Sequence, residues 1–438
     1  MTQYTSNTLA FSPLGRKKVL ANFEGGAITS DAGLLLLREV DKKLGLTQQL
    51  GQAIQDDRHP GYLTHTVENL LKQRVYAIAA GYEDLNDHDT LKEDLCFQTA
   101  VGREVTLASR STLSRFENSI TRQSLVAMSK GLVESFIQSH RTPPTSLTLD
   151  FDPSDHSIYG HQEKRHYHGY YQSHCFLPLY VFCGDRLLVS LLRPSSIDAV
   201  KYSAAILKLL VTRFRQAWPD VKILFRGDCA FARPTLFHYC ETRQVDYVIG
   251  FPKNKRIKKQ LHHQFEDIKA QYEKTNEPQQ VFGACDYQAL RWSKKRRLIF
   301  KLDQTSKGLN LRCVITNRKD TLPERVYKKQ YCPRGAMENT IKQLKLDLGA
   351  DRNSCHDFLA NQFRFLLSSI AYVLLNELRE NGLKNTPLAR HYCGTLRLKL
   401  IKIGAVILKN TRCIRLLISA YYPYKDSFKI AVESFVPI

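Results

Sequence analysis

The sequence predicts an α/β fold, a mixed sheet flanked by helices, on three observations. The stretch "SLTLDFD" (146–152) alternates, with Leu147, Leu149 and Phe151 on one side and Asp150 and Asp152 on the other. Strand-like and helix-like stretches then take turns from "CFLPLYVFC" (175–183) to "VDYVIGF" (245–251). A helix with one apolar and one charged stripe follows near 331–348.

Taken in order, residues 1–140 read as a largely helical N-terminal region suited to binding DNA. "SDAGLLLLREV" offers Ser30 or Asp31 as a cap ahead of an apolar run. "LASRSTLSRFEN" (107–118) has a cap-like Ser111 or Thr112, then Arg115 and Glu117. It fits either the recognition helix of a helix-turn-helix or a plain packed helix. "RTPPTS" (141–146) breaks the pattern as a linker.

The first part of the α/β core runs over 146–251. "CFLPLYVFC" and "RLLVSLLR" read as strands joined by a tight turn at Gly184-Asp185. A helix over about 198–217, "VKILFRGD" (221–228), a helix near 234–243 and "VDYVIGF" complete it. Three strands, helix, strand, helix, strand is the order of a mixed sheet covered by helices. Between 252 and 330 the helical signal fades, and "RRLIFKLDQ" and "LNLRCVITN" around Lys307-Gly308 read as a β-rich insertion. The second part of the core spans 331–380, with "NQFRFLLSSIAYVLLNELR" (361–379) as a buried helix. A basic C-terminal region, 381–438, closes the chain with ten Lys or Arg against two acids.

Composition narrows the partner. The 438 residues are 43% hydrophobic, ample for packed cores, and Lys plus Arg number 64 against 42 acids, a formal +22. An anionic polymer is the natural partner, with nucleic acid ahead of an anionic membrane surface. No apolar run approaches the roughly eighteen residues of a membrane span. Residues 1–26 lack the apolar core of a secretory signal, so a cytoplasmic protein is expected. Eleven cysteines without a C-x2-C pair argue against a disulfide framework and a zinc ribbon. Neither G-x4-G-K-[ST] nor G-x-S-x-G occurs, which leaves nucleotide hydrolysis and a serine-hydrolase elbow without support.

The chemistry concentrates in "YCPRGAMENTIKQLK" (331–345). At about 100° per residue, Tyr331, Arg334, Glu338 and Lys345 fall on one helical stripe, with Lys342 at its edge. Met337, Ile341, Leu344 and Leu348 form the core-facing stripe; Pro333 suits the first turn and Gly349 the C-terminal cap. In a sheet of the order above, the first and fourth strands lie side by side, so Asp152 and Asp228 end at one edge. Glu338 can reach that edge. Crowded acids repel unless divalent cations lie between them, and Mg2+ prefers oxygen ligands. Two such ions would activate a nucleophile and stabilise the departing oxygen in displacement at phosphorus. Arg334, Lys342 and Lys345 would then clamp phosphates. Each aspartate alone also reads as a turn former or helix cap.

The runs "KNKRIKK" (253–259) and "KKRR" (294–297) bring Lys253, Lys255, Arg256, Lys294 and Lys295, with Trp292 beside the second run. Solvated faces and phosphate contacts both fit them, and their place in a fold whose next helix carries Glu338 favours phosphate. His166, His168, His174 and Cys175 in "HYHGYYQSHC" follow no standard zinc spacing.

"LDFDPSD", "FRGDCAF" and "YCPRGAMENTIKQLK", with "LASRSTLSRFEN", "YHGYYQSHCFLPLYVF" and "RNSCHDFLANQFRFLL", resemble the DDE transposases of bacterial insertion sequences. The matching group is the cut-and-paste one with a Y-x2-R-x3-E-x6-K signature. The resemblance implies a ribonuclease-H-like core with a β-strand insertion, catalytic and metal-binding Asp152, Asp228 and Glu338, and Mg2+ as cofactor with Mn2+ as a substitute. It implies a homodimer on double-stranded DNA that cuts at terminal inverted repeats and joins the ends to target DNA. Tyr331, Arg334 and Lys345 take its phosphate-contacting roles. The family's first aspartate is commonly followed two residues on by Thr or Ser, which selects Asp152 with Ser154 over Asp150 as the first acid and leaves Asp150, on the same face, as a possible further metal ligand. In related enzymes an insertion tryptophan holds a flipped base, a role open to Trp292 alongside plain packing. A nuclease of the same core without strand joining, and a transposase-derived DNA-binding regulator that no longer cuts, remain the alternatives.

Overall fold

A computed structural model describes residues 8–319 and 321–436. They form two compact units, one made of residues 8–47, 56–116 and 374–436 and the other of 48–55 and 117–373. The five segments expected from the sequence do not map one-to-one onto these units.

In the first unit, strands Ile28–Thr29, Ala405–Lys409 and Ile414–Ile418 make one small sheet, in which Thr29 pairs with Ala405 and Ile28 with Val406. Backbone hydrogen bonds thus fasten part of the basic region 381–438 to the strand Ile28–Thr29. The N-terminal stretch is largely helical, with Leu9–Leu14 and Lys17–Ala21 forming an exposed hairpin ahead of the helices. Helix Leu34–Leu44 starts after Gly33 with no side-chain cap. Asp31, expected as a capping candidate, is buried and instead meets Lys402 Nζ at 2.9 Å and accepts from the Tyr82 hydroxyl at 2.8 Å.

The second unit is built on an eight-stranded sheet. Numbering only its strands, they are β1 (Ser146–Pro153), β2 (Leu179–Cys183), β3 (Arg186–Leu191), β4 (Lys222–Gly227), β5 (Asp246–Phe251), β6 (Gln279–Tyr287), β7 (Arg296–Thr305) and β8 (Gly308–Thr316). Their spatial order is β6-β7-β8-β5-β4-β1-β2-β3. β1, β4 and β5 are mutually parallel, and every other pairing in the sheet is antiparallel. The first and fourth strands are therefore neighbours, in register from Ser146–Lys222 to Phe151–Gly227. Gly184 adopts φ 59° and Gly308 φ 95°, the left-handed geometry that tight hairpin turns require.

Alternation decides what each face meets. Leu147, Leu149 and Phe151 of β1 join Phe225, Tyr247 and Ile249 in a core roofed by helices Ser203–Ala217 and Pro234–Thr242, through Leu207, Phe214 and Phe237. On the opposite face Val248, Ile299 and Val314 pack against Val326 and Tyr327, which lays residues 323–331 across the sheet. Tyr180 of β2 packs edge-on to Phe365 at 5.1 Å, docking helix Phe358–Glu377. That helix and its extension to Gly382 have the length and apolarity to cross a bilayer, contrary to the expectation that no stretch would. Its most apolar window is 83% buried, which marks it as a core helix.

Residues 252–330 depart from the expected insertion in two respects. Helices Lys255–Gln260 and His262–Thr275 open it, burying Ile257, Leu261 and Ile268 at spacings of four and seven. The β6-β7-β8 meander then extends the main sheet, since β8 pairs with β5 from Thr316–Val248 to Cys313–Phe251. Trp292, a candidate for holding a flipped base, is 7% exposed. Phe237, Phe251 and Tyr287 surround it at 5.2–5.7 Å, and the Arg296 guanidinium lies over its ring at 5.2 Å. A ring so enclosed has no face for a base. Trp292→Ala is expected to cost about 3–5 kcal/mol of stability in urea denaturation. A variant of unchanged stability with selectively weakened DNA binding would restore the DNA-contact role.

Candidate active site at the carboxyl edge of the sheet

Because β1 and β4 are parallel and in register, the residues that follow Phe151 and Gly227 emerge side by side. These are Asp152 and Asp228. Asp152 is largely buried, its side chain 14% exposed. Asp228 Oδ1 accepts from the Ala230 N–H at 2.9 Å and caps the short turn Cys229–Phe231. The capping use of this aspartate is real, and it also fixes the carboxylate's direction.

The third acid arrives on a helix more irregular than expected. Residues 323–347 wind as successive α, π, 3₁₀, α and π turns, with helix Gly335–Lys342 in the middle. Pro333 lies in the tight turn Cys332–Arg334, where its missing N–H interrupts the α-helical ladder. Met337, Ile341, Leu344 and Leu348 are buried as the apolar stripe requires, and Gly349 ends the helix at φ 58°. The polar stripe is split. Arg334 Nη2 donates to Glu338 Oε1 at 2.9 Å, whereas Lys345 Nζ turns to Asp155, meeting its carbonyl at 2.7 Å and its carboxylate at 3.3 Å. Lys342 is exposed.

Arg334 gathers the acids. Its Nη1 lies 3.5 Å from Asp152 Oδ1 while Nη2 holds Glu338. Burial works against this guanidinium's charge, but Asp152, Tyr331, Glu338 and Asp228 together hold it above its ordinary value. Burial pushes the Asp152 carboxyl up to about 7; Arg334 opposes that, and the charges of Asp228, Glu338 and Asp150 add to it. Tyr331 is packed against β5, where a Cβ on Gly250 would stand 2.5 Å from the tyrosine oxygen and 3.0 Å from the Cys229 nitrogen. Only glycine admits that approach.

Asp150, expected as a possible further ligand, is committed elsewhere. Both its oxygens accept from Arg226, Oδ1 from Nε and Oδ2 from Nη2 at 2.6 Å, while Arg226 Nη1 donates to the Gln330 carbonyl at 2.7 Å. Burial raises the Asp150 pKa and the hydrogen bond from Arg226 opposes the rise. The pair is a buried brace between β1, β4 and the residue before Tyr331.

The acids offer only oxygen, the donor type of a hard divalent ion, and their mutual repulsion is the condition such an ion relieves. Among the described residues no group of three or more His, Cys, Asp or Glu is arranged to hold a metal. Arg334 supplies the countercharge instead, so the donor set suits Mg2+ while the arrangement is that of a site closed on its own arginine.

A pH dependence follows. In the folded, metal-free protein Asp152 holds its proton up to about pH 7, above its unfolded value. This group therefore favours folding at low pH, and its contribution is lost as pH rises through about 7. A divalent ion held by Asp152 would need its carboxylate, so such binding below pH 7 would release a proton. Calorimetric titration with Mn2+ at several pH values is expected to show affinity rising by up to about tenfold per pH unit below 7 and levelling above. A flat profile would remove Asp152 from the ligand set.

The remaining candidates scatter. Lys253, Lys255 and Arg256 are exposed at the start of helix Lys255–Gln260, with Arg256 over the Tyr287 ring at 5.9 Å. Lys295 is exposed, and Lys294 pairs with Glu241 at 3.2 Å. Arg115 is exposed on helix Arg110–Asn118, but Glu117, its companion in the recognition-helix reading, is wholly buried. A fully buried side chain reads no bases. His166 and His174 lie on two paired strands of a small sheet, and among the described residues they form no metal-binding group. Sequence reasoning missed Arg226, Asp155 and Gly250. The period-two rule puts Arg226 on the same face as Asp150 once the strands are paired, so Arg226 was accessible in principle.

Fold and site define an α/β protein with an acidic centre at the carboxyl edge of a mixed sheet. A family model described as transposase DDE domain group 1 matches residues 11–437, and the chain belongs to that family, whose members are transposases, enzymes that act on DNA. Among solved structures it is similar to a piggyBac transposase in a synaptic complex with hairpin DNA, seen by cryo-EM, at 12% identity and TM-score 0.42 over 85% of this chain and 79% of that one. No curated protein matches it.

Proposed function

We propose that this protein is a cut-and-paste transposase that cleaves DNA at the terminal inverted repeats of a bacterial insertion sequence and joins the freed ends to target DNA. Asp152, Asp228 and Glu338 are its catalytic acids. The observation that carries this reading is the arrangement of Asp152 and Asp228 at the ends of adjacent parallel strands, with Glu338 tied to Asp152 through Arg334. The strand order β3-β2-β1-β4-β5 supports a ribonuclease-H-like core.

Asp152, Asp228 and Glu338 would hold Mg2+, or Mn2+ in its place, which would supply activation of the attacking oxygen and stabilisation of the leaving one. The chain supplies the rest. Ala230 N–H keeps the Asp228 carboxylate aimed. Arg334, once released from Asp152 and Glu338, offers its fork to a DNA phosphate, with Tyr331 and Lys342 beside it. Lys345 holds the loop at Asp155. Work on two DNA ends calls for a homodimer, and the partner DNA places the enzyme at the nucleoid in the cytoplasm.

Purified protein with Mg2+ and DNA carrying the element's ends and flanking sequence is expected to give nicked, freed and then joined products. Cleavage without joining would make it a nuclease of the same core. A DNA shift insensitive to EDTA with no cleavage in Mg2+ or Mn2+ would make it a regulator.

A further inference from the structure

Between β1 and β2 the chain forms a small three-stranded sheet of His156–Ser157, His166–His168 and Ser173–Phe176, the last in the centre. Its inner side is packed into the unit: Cys175 and Phe176 are buried, and His156 Nε2 lies 2.8 Å from the Tyr180 hydroxyl. Exposed rings crowd its edge and connecting turns: Tyr159 is 96%, Tyr170 82% and, on a strand, Tyr167 52% exposed. One exposed tyrosine needs no explanation, but three within one short segment do.

The rings lead outward from the acids. Tyr171 is partly buried, and its hydroxyl pKa is pushed up to about 12, first by burial, then by Asp155, with Tyr170 and Asp152 adding to it. His168 lies 5.0 Å from the Tyr171 ring on one side and Tyr170 meets it edge-on at 5.0 Å on the other. Tyr170 occupies the turn joining His168 to Ser173, beside Gly169, which has open space around it. Lys345 ties Asp155 of this same region to the helix that bears Glu338.

The surrounding charge suits phosphate. Within 157–175 the one acid is Glu163, and it is occupied by the Phe358 N–H at 3.0 Å and by Lys164 at 3.2 Å. Arg165 and Lys164 are exposed, among His161, His166 and His168. Rings interleaved with basic side chains suit a partner that offers both phosphate charge and base faces. A duplex hides its base faces in the stack, whereas a free ring face like that of Tyr170 matches an unpaired base.

We propose that the Tyr170 turn is a stacking platform for an unpaired nucleobase at the end of the DNA strand whose phosphates are held beside Asp152, Arg334 and Glu338. The inference rests on the transposase reading and adds to it a place for single-stranded DNA. The full-length protein is titrated in EDTA with a fluorescent duplex bearing a short 3′ single-stranded overhang and with a blunt duplex of equal length. Wild type is expected to prefer the overhang by roughly tenfold. Tyr170→Ala should erase the preference, Tyr170→Phe and Tyr170→Trp should keep it, and all should melt like wild type because the side chain is exposed. Equal affinity of wild type for the two probes, or a preference that survives in Tyr170→Ala, overturns the proposal. Cleavage in Mg2+ is scored separately: cleavage with no effect at Tyr170 removes only the platform, and an overhang preference without cleavage removes the transposase reading.

Discussion

Asp228→Asn and Glu338→Gln are each expected to slow strand cleavage by at least about three orders of magnitude, roughly 4 kcal/mol of transition-state stabilisation, while leaving the protein folded. The isosteric changes matter. An Asn at 228 still accepts from the Ala230 N–H, so the cap on Cys229–Phe231 survives and only the negative charge is lost. A Gln at 338 keeps an oxygen for Arg334, and Glu338 is 56% exposed, so little packing changes. Either substitution reduces the repulsion around Asp152, so thermal stability should hold or rise in the metal-free protein. Binding of DNA ends should persist, because removing an acid beside Arg334 frees the guanidinium for phosphate. Cleavage time courses, gel shifts and melting curves on the same preparations separate the three effects. Either variant cutting at the wild-type rate would end the assignment of these acids to catalysis.

Much of this site was legible because it depends on local periodicity. Alternation in "SLTLDFD" put Asp152 opposite the buried Leu149 and Phe151, and helical spacing put Arg334 one turn from Glu338, where the ion pair forms. Strand order brought Asp228 beside Asp152. What escaped depends on register and on departures from ideal winding. Asp150 and Asp152 share a face, and only the pairing of Asp150 with Arg226, 76 residues away, separates their roles. The π turn of Gln343–Asp347 takes Lys345 off the Glu338 stripe to Asp155, which ideal α-helical spacing does not anticipate. Ile257, Leu261 and Ile268 carried a helical period, but the surrounding lysines drew attention to charge. Trp292 is buried by Phe237, Phe251 and Tyr287 from three separate elements, a convergence no local pattern encodes.

Arg226→Met should lower stability by about 3–5 kcal/mol at neutral pH, because it removes one partner of a buried ion pair. Asp150 would keep a carboxylate that is 4% exposed and has lost its two guanidinium donors. The sign of the pH dependence follows. Burial already raises the Asp150 pKa and Arg226 opposes the rise, so deleting Arg226 raises it further. The unfolded chain keeps the ordinary value, so the penalty is small at acidic pH, where Asp150 is protonated in both states, and grows as pH rises toward neutrality. Urea denaturation at acidic and neutral pH measures it, and a loss independent of pH would mean packing, not charge, is at stake. The double variant Asp150→Leu with Arg226→Met removes both charges and should recover most of the stability. It should not recover cleavage, because Arg226 Nη1 also holds the Gln330 carbonyl next to Tyr331, at the entrance to the turn that presents Arg334. Equal stability and wild-type cleavage in the double variant would show that Arg226 serves Asp150 alone. Stability restored without cleavage would show that the buried pair is kept because it braces the third acid's helix against the strands carrying the other two.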